Sequence, residues 1–298
     1  MTTKKKISTT KKSRTAAGPT KRRPSSLDLE VVLQHMIGWA FDCGEILNSH
    51  LVQSYEKPLK ILDKGKQGLA TEADLLSETF VMERIRELYP EHLILSEEDS
   101  FKRQLKSEIP TDGYVWLIDP LDGTNNFYNR VPFFCVSLAL NKGTETQVGV
   151  VYNPVNCELF YAVRGKGAWI VRLIGEAEVK VKLAPSKRKK GFKEALLSAN
   201  LTSKRVEKDL LKSFPEVRAM RRLGSAALEM SYVAAGMLDA YWEHRLQPWD
   251  MAAAGLICQE AGVKISGIHG EKYHAFGSSV LTADPNLYDE LKGILNKG

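Results

Sequence analysis

The sequence predicts an α/β or mixed α+β architecture, on three observations. Apolar residues recur at helical spacing near both ends of the chain. Residues 134–171 break into short apolar runs separated by turn signals, the pattern of an antiparallel series. Beyond residue 195, short apolar strands alternate with helical segments, which suggests layers of helix and sheet.

The elements follow in order. Ser25 and Ser26 precede Leu27-Asp28-Leu29-Glu30, a helix start with acids in its first turn; the helix should run to about Leu51. Thr71 caps a second expected helix through Leu88, with Pro90 just beyond it. Leu93 to Leu95 is a short strand that delivers Glu97 and Glu98. Val115 to Ile118 is a buried strand expected to end on Asp119, because Pro120 forbids simple continuation of the ladder. Phe134–Leu140, Gln147–Tyr152, Leu159–Val163 and Ala168–Val171 make the antiparallel series, with Gly165 and Gly167 at one turn. Residues 175–192 become charged and include Lys187-Arg188-Lys189-Lys190, expected to be a solvated loop. A domain boundary belongs there. The expected division is a tail of residues 1–27, an N-terminal α+β part of 28–180 and a C-terminal α/β part of 181–298. In the last part Ala195–Ala199 is a strand, and Lys204–Phe214 and Ser225–Met237 are helices. Leu238–Glu243 is a strand, and Pro248 opens a helix. Val263–Ile265 and Ser279–Thr282 are strands, and Asn286–Leu295 closes the chain as a helix. There is no internal repeat.

At 298 residues and 43% hydrophobic content the chain can build one large or two ordinary domains. No apolar run reaches the roughly 18 residues of a transmembrane helix, and the N-terminus lacks the apolar core of a secretory signal. Cys43, Cys135, Cys157 and Cys258 form no CxxC pair, and the six histidines show no metal spacing. That argues against a zinc site or a disulfide framework and fits a reducing cytoplasm. The net charge of +6 is unevenly spread. Residues 1–27 hold six Lys, three Arg and no acid, so the body carries −3 once the tail's +9 is taken from the total. Such a tail cannot bury enough apolar surface to order itself. It is expected to be a disordered extension; an arm for nucleic acid or an acidic partner is the functional alternative. A transit peptide fits less well, because Lys outnumbers Arg.

Residues 116–127, Trp-Leu-Ile-Asp-Pro-Leu-Asp-Gly-Thr-Asn-Asn-Phe, carry the chemistry. Asp119 and Asp122 leave a strand end together and can aim at one point. Clustered carboxylates repel unless a cation sits among them. Oxygen-only ligands suit a hard ion such as Mg²⁺. Gly123-Thr124 exposes backbone N–H groups at a turn, which suits an anionic oxygen. A metal-and-anion site at a strand end reads as phosphate chemistry. Taken alone, the stretch is also compatible with an Asx-rich turn closed by Pro and Gly. Asp250, after Pro248 and Trp249, is equally suited to capping its helix. Thr71-Glu-Ala-Asp74 is equally an ordinary capping turn. Glu97 lies in a charged run that also suits the surface, but the strand before it favours a ligand, and Glu243 is equally a solvated acid.

Four stretches taken together resemble the inositol monophosphatase family. They are Leu69-Ala-Thr-Glu-Ala-Asp74, Ser96-Glu97-Glu98-Asp99, Asp119-Pro-Leu-Asp-Gly-Thr124 and Trp249-Asp250-Met-Ala-Ala-Ala-Gly255, in the family's order and spacing. The similarity covers about residues 28–298. Arg221-Arg222-Leu-Gly-Ser-Ala-Ala227 through Trp249-Asp250 is closest to the bacterial branch. The resemblance implies a five-layer α-β-α-β-α sandwich of the inositol monophosphatase and fructose-1,6-bisphosphatase type. It also implies Mg²⁺-dependent, lithium-sensitive hydrolysis of a phosphate monoester, most directly inositol monophosphate, by a homodimer.

The same resemblance assigns residues. One Mg²⁺ would be held by Glu97, Asp119 and the Leu121 carbonyl, and a second by Asp119, Asp122 and Asp250. A third, weaker ion would sit near Glu97 and Asp74, with Lys64 a candidate basic neighbour. The substrate phosphate would lie across the ions, with Gly123 and Thr124 N–H groups as donors. A metal-activated water would be the nucleophile, oriented and deprotonated by Thr124 and Asp74, with no covalent phospho-enzyme. Glu243 would accept hydrogen bonds from substrate hydroxyls, and Asp122 and Ala226 would line the same pocket. Same-fold alternatives are fructose-1,6-bisphosphate, 3′-phosphoadenosine 5′-phosphate and histidinol phosphate. Bacterial relatives can also engage the transcription machinery, which gives the basic tail a second possible role. Ser96, Asp99, Asn125 and Asn129 depart from the family's usual residues; they bear on substrate preference and remove no ligand.

The homodimer also has a physical argument. Residues 131–140 and 149–160 are more apolar than half-exposed strands require. Such stretches are spent either in the core or at an interface, most often a two-fold one.

Overall fold

The described residues open on helix α1, Leu29–Gln53, where Asp28 caps the start by accepting from the Glu30 N–H at 3.0 Å. This computed structural model describes residues 27–63, 69–103, 113–186, 191–200 and 217–296. The N-terminal tail through residue 26, Lys64, the basic run 187–190 and the helix expected at 204–214 lie outside the described residues. A short antiparallel pair, β1 (Ile61–Asp63) and β2 (Leu69–Thr71), follows α1. Helix α2 spans Glu72–Leu88 and starts at Thr71, as its capping pattern predicts.

A seven-stranded sheet comes next. It contains β3 (Leu93–Ser96), β4 (Tyr114–Asp122), β5 (Cys135–Lys142), β6 (Glu145–Asn153), β7 (Glu158–Val163), β8 (Gly167–Ile174) and β9 (Ala177–Lys182), in that spatial order. In it β3 and β4 pair in parallel and β4 to β9 pair antiparallel, with the expected series making up β5 to β8. Two short helices, α3 (Glu97–Arg103) and α4 (Thr124–Tyr128), leave the ends of β3 and β4. Strand side chains alternate between faces. Trp116, Ile118, Val136 and Leu138 pack under α1 and α2, whereas Val115, Leu117, Cys135 and Ala139 face the opposite layer.

That opposite layer consists of α5 (Ala226–Ala234) and α6 (Pro248–Ala261). Met251 to Cys258 of α6 are buried on every side, as a helix between two sheets must be. The approach is close: a Cβ on Gly149 of β6 would lie 2.7 Å from the Ala253 carbonyl oxygen. The second sheet has five strands in the order β11 (Ala219–Arg221), β10 (Leu196–Asn200), β12 (Ala240–His244), β14 (Ser279–Ala283), β13 (Lys264–Ser266). Helix α7, Tyr288–Leu295, covers its far face against Leu197, Ala199, Trp242 and Leu281. The layers therefore run α1/α2, seven strands, α5/α6, five strands, α7: the five-layer sandwich. No helix among the described residues is long and apolar enough to cross a membrane.

Three expectations change. Strand β4 does not stop at Asp119 but continues through Pro120 to Asp122, with a register shift between the two aspartates. Its pairing with β3 ends at Ile118, so the N–H that Pro120 lacks is not needed on that side, and proline is tolerated at such an irregularity. Strand β9 occupies part of the charged stretch 175–192, where a domain boundary and no strand are expected. Finally, Phe134, Cys135, Val136, Leu138, Ala139 and Leu140 are all within 1% of full burial inside one chain. The apolar run at 131–140 is spent largely in the core, which removes most of the physical argument for an interface there.

Candidate active site

The irregular end of β4 builds the centre. Asp119 lies opposite Ser137 and Asp122 opposite Cys135, and the two residues between them shift the register. This turns both carboxylates out of the ladder. Asp119 Oδ1 accepts from the Leu121 N–H at 3.0 Å. Gly123 then takes φ +99°, a left-handed conformation suited to glycine. A Cβ there would also lie 3.2 Å from the Phe133 carbonyl oxygen and 3.3 Å from that of Gly224. With that turn, α4 starts at Thr124.

Thr124 Oγ1 lies 3.2 Å from Asp74 Oδ1 and 3.1 Å from the Leu121 carbonyl oxygen. Asp74 uses its other oxygen, Oδ2, to accept from the Thr71 N–H at 2.8 Å and the Thr71 hydroxyl at 2.5 Å. The capping role and the Thr124 contact are therefore compatible in one side chain. Glu97 opens α3, and the start of that helix is fixed by Glu78 Oε1, which accepts from the N–H groups of Glu98 (2.9 Å) and Asp99 (3.2 Å).

Asp122 reaches across to the middle layer. It accepts from the Ser225 hydroxyl at 2.7 Å and from the N–H groups of Ala227 at 2.7 Å and Ala226 at 3.2 Å. Asp250, in the first turn of α6, accepts from the Gln247 N–H at 2.7 Å. Glu243, near the end of β12, accepts from the Asn200 side-chain amide at 2.6 Å and from the Tyr241 hydroxyl.

Electrostatics tie these acids together. Burial, then Glu97, Asp122 and Asp250, hold the Asp119 carboxyl well above the usual carboxylate range. Asp250 is pushed up by burial and by Asp122, Glu97 and Glu243, against the Gln247 N–H. Burial raises Asp122 to about 6 despite its donors, and raises Glu243 to about 7. Glu97, Asp119, Asp122 and Asp250 thus stand in one another's field. Among the described residues no three such side chains form a ready coordination shell; the carboxylates are turned to protein donors instead. The donor set nevertheless fits a hard divalent cation. It is all oxygen, and positive charge among these acids would relieve the burial and repulsion that raise them.

Two residues of the site carry no clear sequence signal. Glu229, buried in α5, accepts from the Ser198 hydroxyl and from the N–H groups of Leu223 (3.3 Å), Gly224 (3.0 Å) and Ser225 (3.3 Å). It organises the turn that meets Asp122, and its one hint is an acid within the apolar run Ala226–Ala234. The Asn126 amide donates to the carbonyls of Phe133 and Leu223, each at 2.7 Å, joining the two sides of the site.

The inositol monophosphatase family model matches residues 28–297. The chain belongs to that family. Membership supports phosphatase chemistry on this fold. A Nus factor SuhB from Salmonella typhimurium is 35% identical over 263 residues, covering 83% of this chain and 93% of the relative. An inositol-1-monophosphatase from Bacillus subtilis is 35% identical over 257 residues, covering 84% and 91%. The crystal structure of extragenic suppressor protein suhB from Bartonella henselae superposes with a TM-score of 0.76 at 30% identity, covering 90% of this chain and 99% of that one. Family membership thus spans a relative named inositol-1-monophosphatase and a relative named Nus factor SuhB.

Proposed function

We propose that this member of the inositol monophosphatase family is a Mg²⁺-dependent, lithium-sensitive phosphomonoesterase whose first candidate substrate is inositol monophosphate. The observation that carries the reading is the Thr124–Asp74 contact beside four mutually repelling carboxylates. Glu97, Asp119, Asp122, Asp250 and the Leu121 carbonyl would hold two to three Mg²⁺ ions together with Asp74. The ions would supply positive charge to the phosphate and acidify water. The N–H groups of Gly123 and Thr124 orient the phosphate from the turn. Thr124 and Asp74 hold the attacking water and take its proton, the hydroxyl pointing the water and the carboxylate acting as base. Glu243 accepts from substrate hydroxyls on the far side, with Asp122 and Ala226 beside it. Cys135, though 3.7 Å from Asp122 Oδ2, is no nucleophile: it is fully buried, and burial pushes its thiol well up.

Inositol monophosphate is favoured by Glu243, a buried acceptor, and by the name of the Bacillus relative. A side-by-side panel of kcat/KM tests it against fructose-1,6-bisphosphate, 3′-phosphoadenosine 5′-phosphate and histidinol phosphate. Highest kcat/KM on inositol monophosphate supports the assignment; a strong preference for the nucleotide replaces it. The proposal includes a homodimer in the cytoplasm, and light scattering that returns the mass of one chain removes the dimer.

A second reading rests on the +9 tail on a −3 body and on relatives named as Nus factors. In it, residues 1–27 bind nucleic acid or the transcription machinery. Such binding is electrostatic and weakens steeply with salt. Equal RNA binding by the full chain and by a version starting at Leu27 contradicts it.

A further inference from the structure

Glu243 is gripped at both oxygens. Asn200 Nδ2 donates to Oε1 at 2.6 Å and the Tyr241 hydroxyl donates to Oε2. Strand register explains the arrangement. β10 and β12 run parallel with Asn200 opposite Glu243 and Ser198 opposite Tyr241. Tyr241 precedes Glu243 by two residues, so its side chain shares the same face. That face carries two polar pairs, Ser198 with Glu229 and Asn200 with Glu243. The opposite face, with Leu197, Ala199, Ala240 and Trp242, is apolar and packs in the core beneath α7.

The chemistry of the pair has one consistent orientation. When ionised Glu243 only accepts, so Asn200 then turns its NH₂ to Glu243 and its oxygen away. Asn200 Oδ1 is buried and has no hydrogen-bond partner among the described residues. An unpaired buried acceptor is costly, so the amide is kept at a cost to folding that a small apolar residue would avoid. What that cost secures is a Glu243, 9% exposed, whose carboxylate is held by a donor at each oxygen.

We propose that Asn200 and Tyr241 are positioning residues for substrate choice. They lock Glu243 as a hydroxyl acceptor, so that the site selects phosphate esters of polyols over esters without hydroxyls. They take this role only if Glu243 meets the substrate, as proposed above.

The test compares Asn200→Leu, Tyr241→Phe and Glu243→Gln with wild type on two substrates in saturating Mg²⁺. Inositol 1-phosphate carries ring hydroxyls, and p-nitrophenyl phosphate carries none. Both positioning variants should raise KM for inositol 1-phosphate about tenfold, the cost of roughly one hydrogen bond, with kcat and all constants on p-nitrophenyl phosphate changing less than about twofold. Equal losses on both substrates would mean a merely structural role and overturn the proposal. An unchanged KM in both positioning variants, with Glu243→Gln raising it, overturns the proposal and leaves Glu243 in place. No effect of Glu243→Gln on that KM removes the reading of Glu243 and this proposal with it.

Discussion

Thr124 Oγ1 and Asp74 Oδ1 lie 3.2 Å apart although fifty residues separate them in sequence. The contact joins the end of β4 to the first turn of α2. The hydroxyl has one proton to give, and the Leu121 carbonyl oxygen at 3.1 Å competes for it. Thr124 can therefore release Asp74 to take a proton from water. Thr124→Val and Asp74→Asn should each lower kcat about a hundredfold or more. The double variant should be little worse than the worse single one, because the two act as a unit. Asp74→Asn keeps an oxygen to accept from Thr71, so its thermal stability should stay within about 1 kcal/mol of wild type. Kinetics on the three variants check the first two points, and calorimetry checks the third.

The clustered acids predict a metal effect that needs no turnover. Filling the site should stabilise the folded chain by about 2.7 kcal/mol when free Mg²⁺ reaches one hundred times its dissociation constant. Asp119→Asn should remove most of that stabilisation, because Glu97, Asp122 and Asp250 all act on Asp119. Thermal unfolding with and without Mg²⁺ measures it; a wild-type melting temperature indifferent to Mg²⁺ contradicts the ligand set.

Gly149 connects packing to the site. Its missing Cβ would lie 2.7 Å from the Ala253 carbonyl oxygen and 2.9 Å from the Ala253 Cα. Backbone cannot swing aside like a side-chain tip, so Gly149→Ala must displace α6, which carries Asp250. The variant should lose about 1–3 kcal/mol of stability and part of its Mg²⁺ response. Full retention of both would show that α6 tolerates the shift.

His92 predicts a pH effect on stability far from the catalytic residues. Its Nδ1 accepts from Trp116 Nε1 at 3.1 Å, and burial holds its pKa below the usual value. Folding thus favours the neutral ring. The stability is complete above the unfolded pKa of about 6.5, is lost as pH falls from there towards the folded value, and levels off below it. His92→Gln keeps an acceptor without titrating. Denaturant unfolding at pH 7.5 and 5.5 should show a larger loss in wild type than in the variant. Equal losses contradict the role given to burial.

Local signals in the sequence were the legible ones. The Thr71 cap, the β5–β8 series and the Pro248 helix start rest on residues within a turn or a strand of one another. Strand β9 was hidden, because Ala177-Glu178-Val179-Lys180-Val181-Lys182 is an exposed edge strand whose alternation is outweighed by charge. Pro120 signals only the hydrogen bond it cannot make, while the ladder with β3 ends before it at Ile118. The Thr124–Asp74 pairing was legible only through family resemblance, since nothing local brings residues fifty apart together. Glu229 and Asn126 leave little signal because most of their partners are backbone groups, some of them in distant segments, and backbone partners leave no mark in residue type.

The most direct measurement is phosphate release from inositol 1-phosphate by the purified chain, with and without Mg²⁺, beside Asp119→Asn. Wild type should turn over only with Mg²⁺, and Asp119→Asn should not turn over at all. Release without Mg²⁺, or a near-normal rate in Asp119→Asn, would contradict the proposed function.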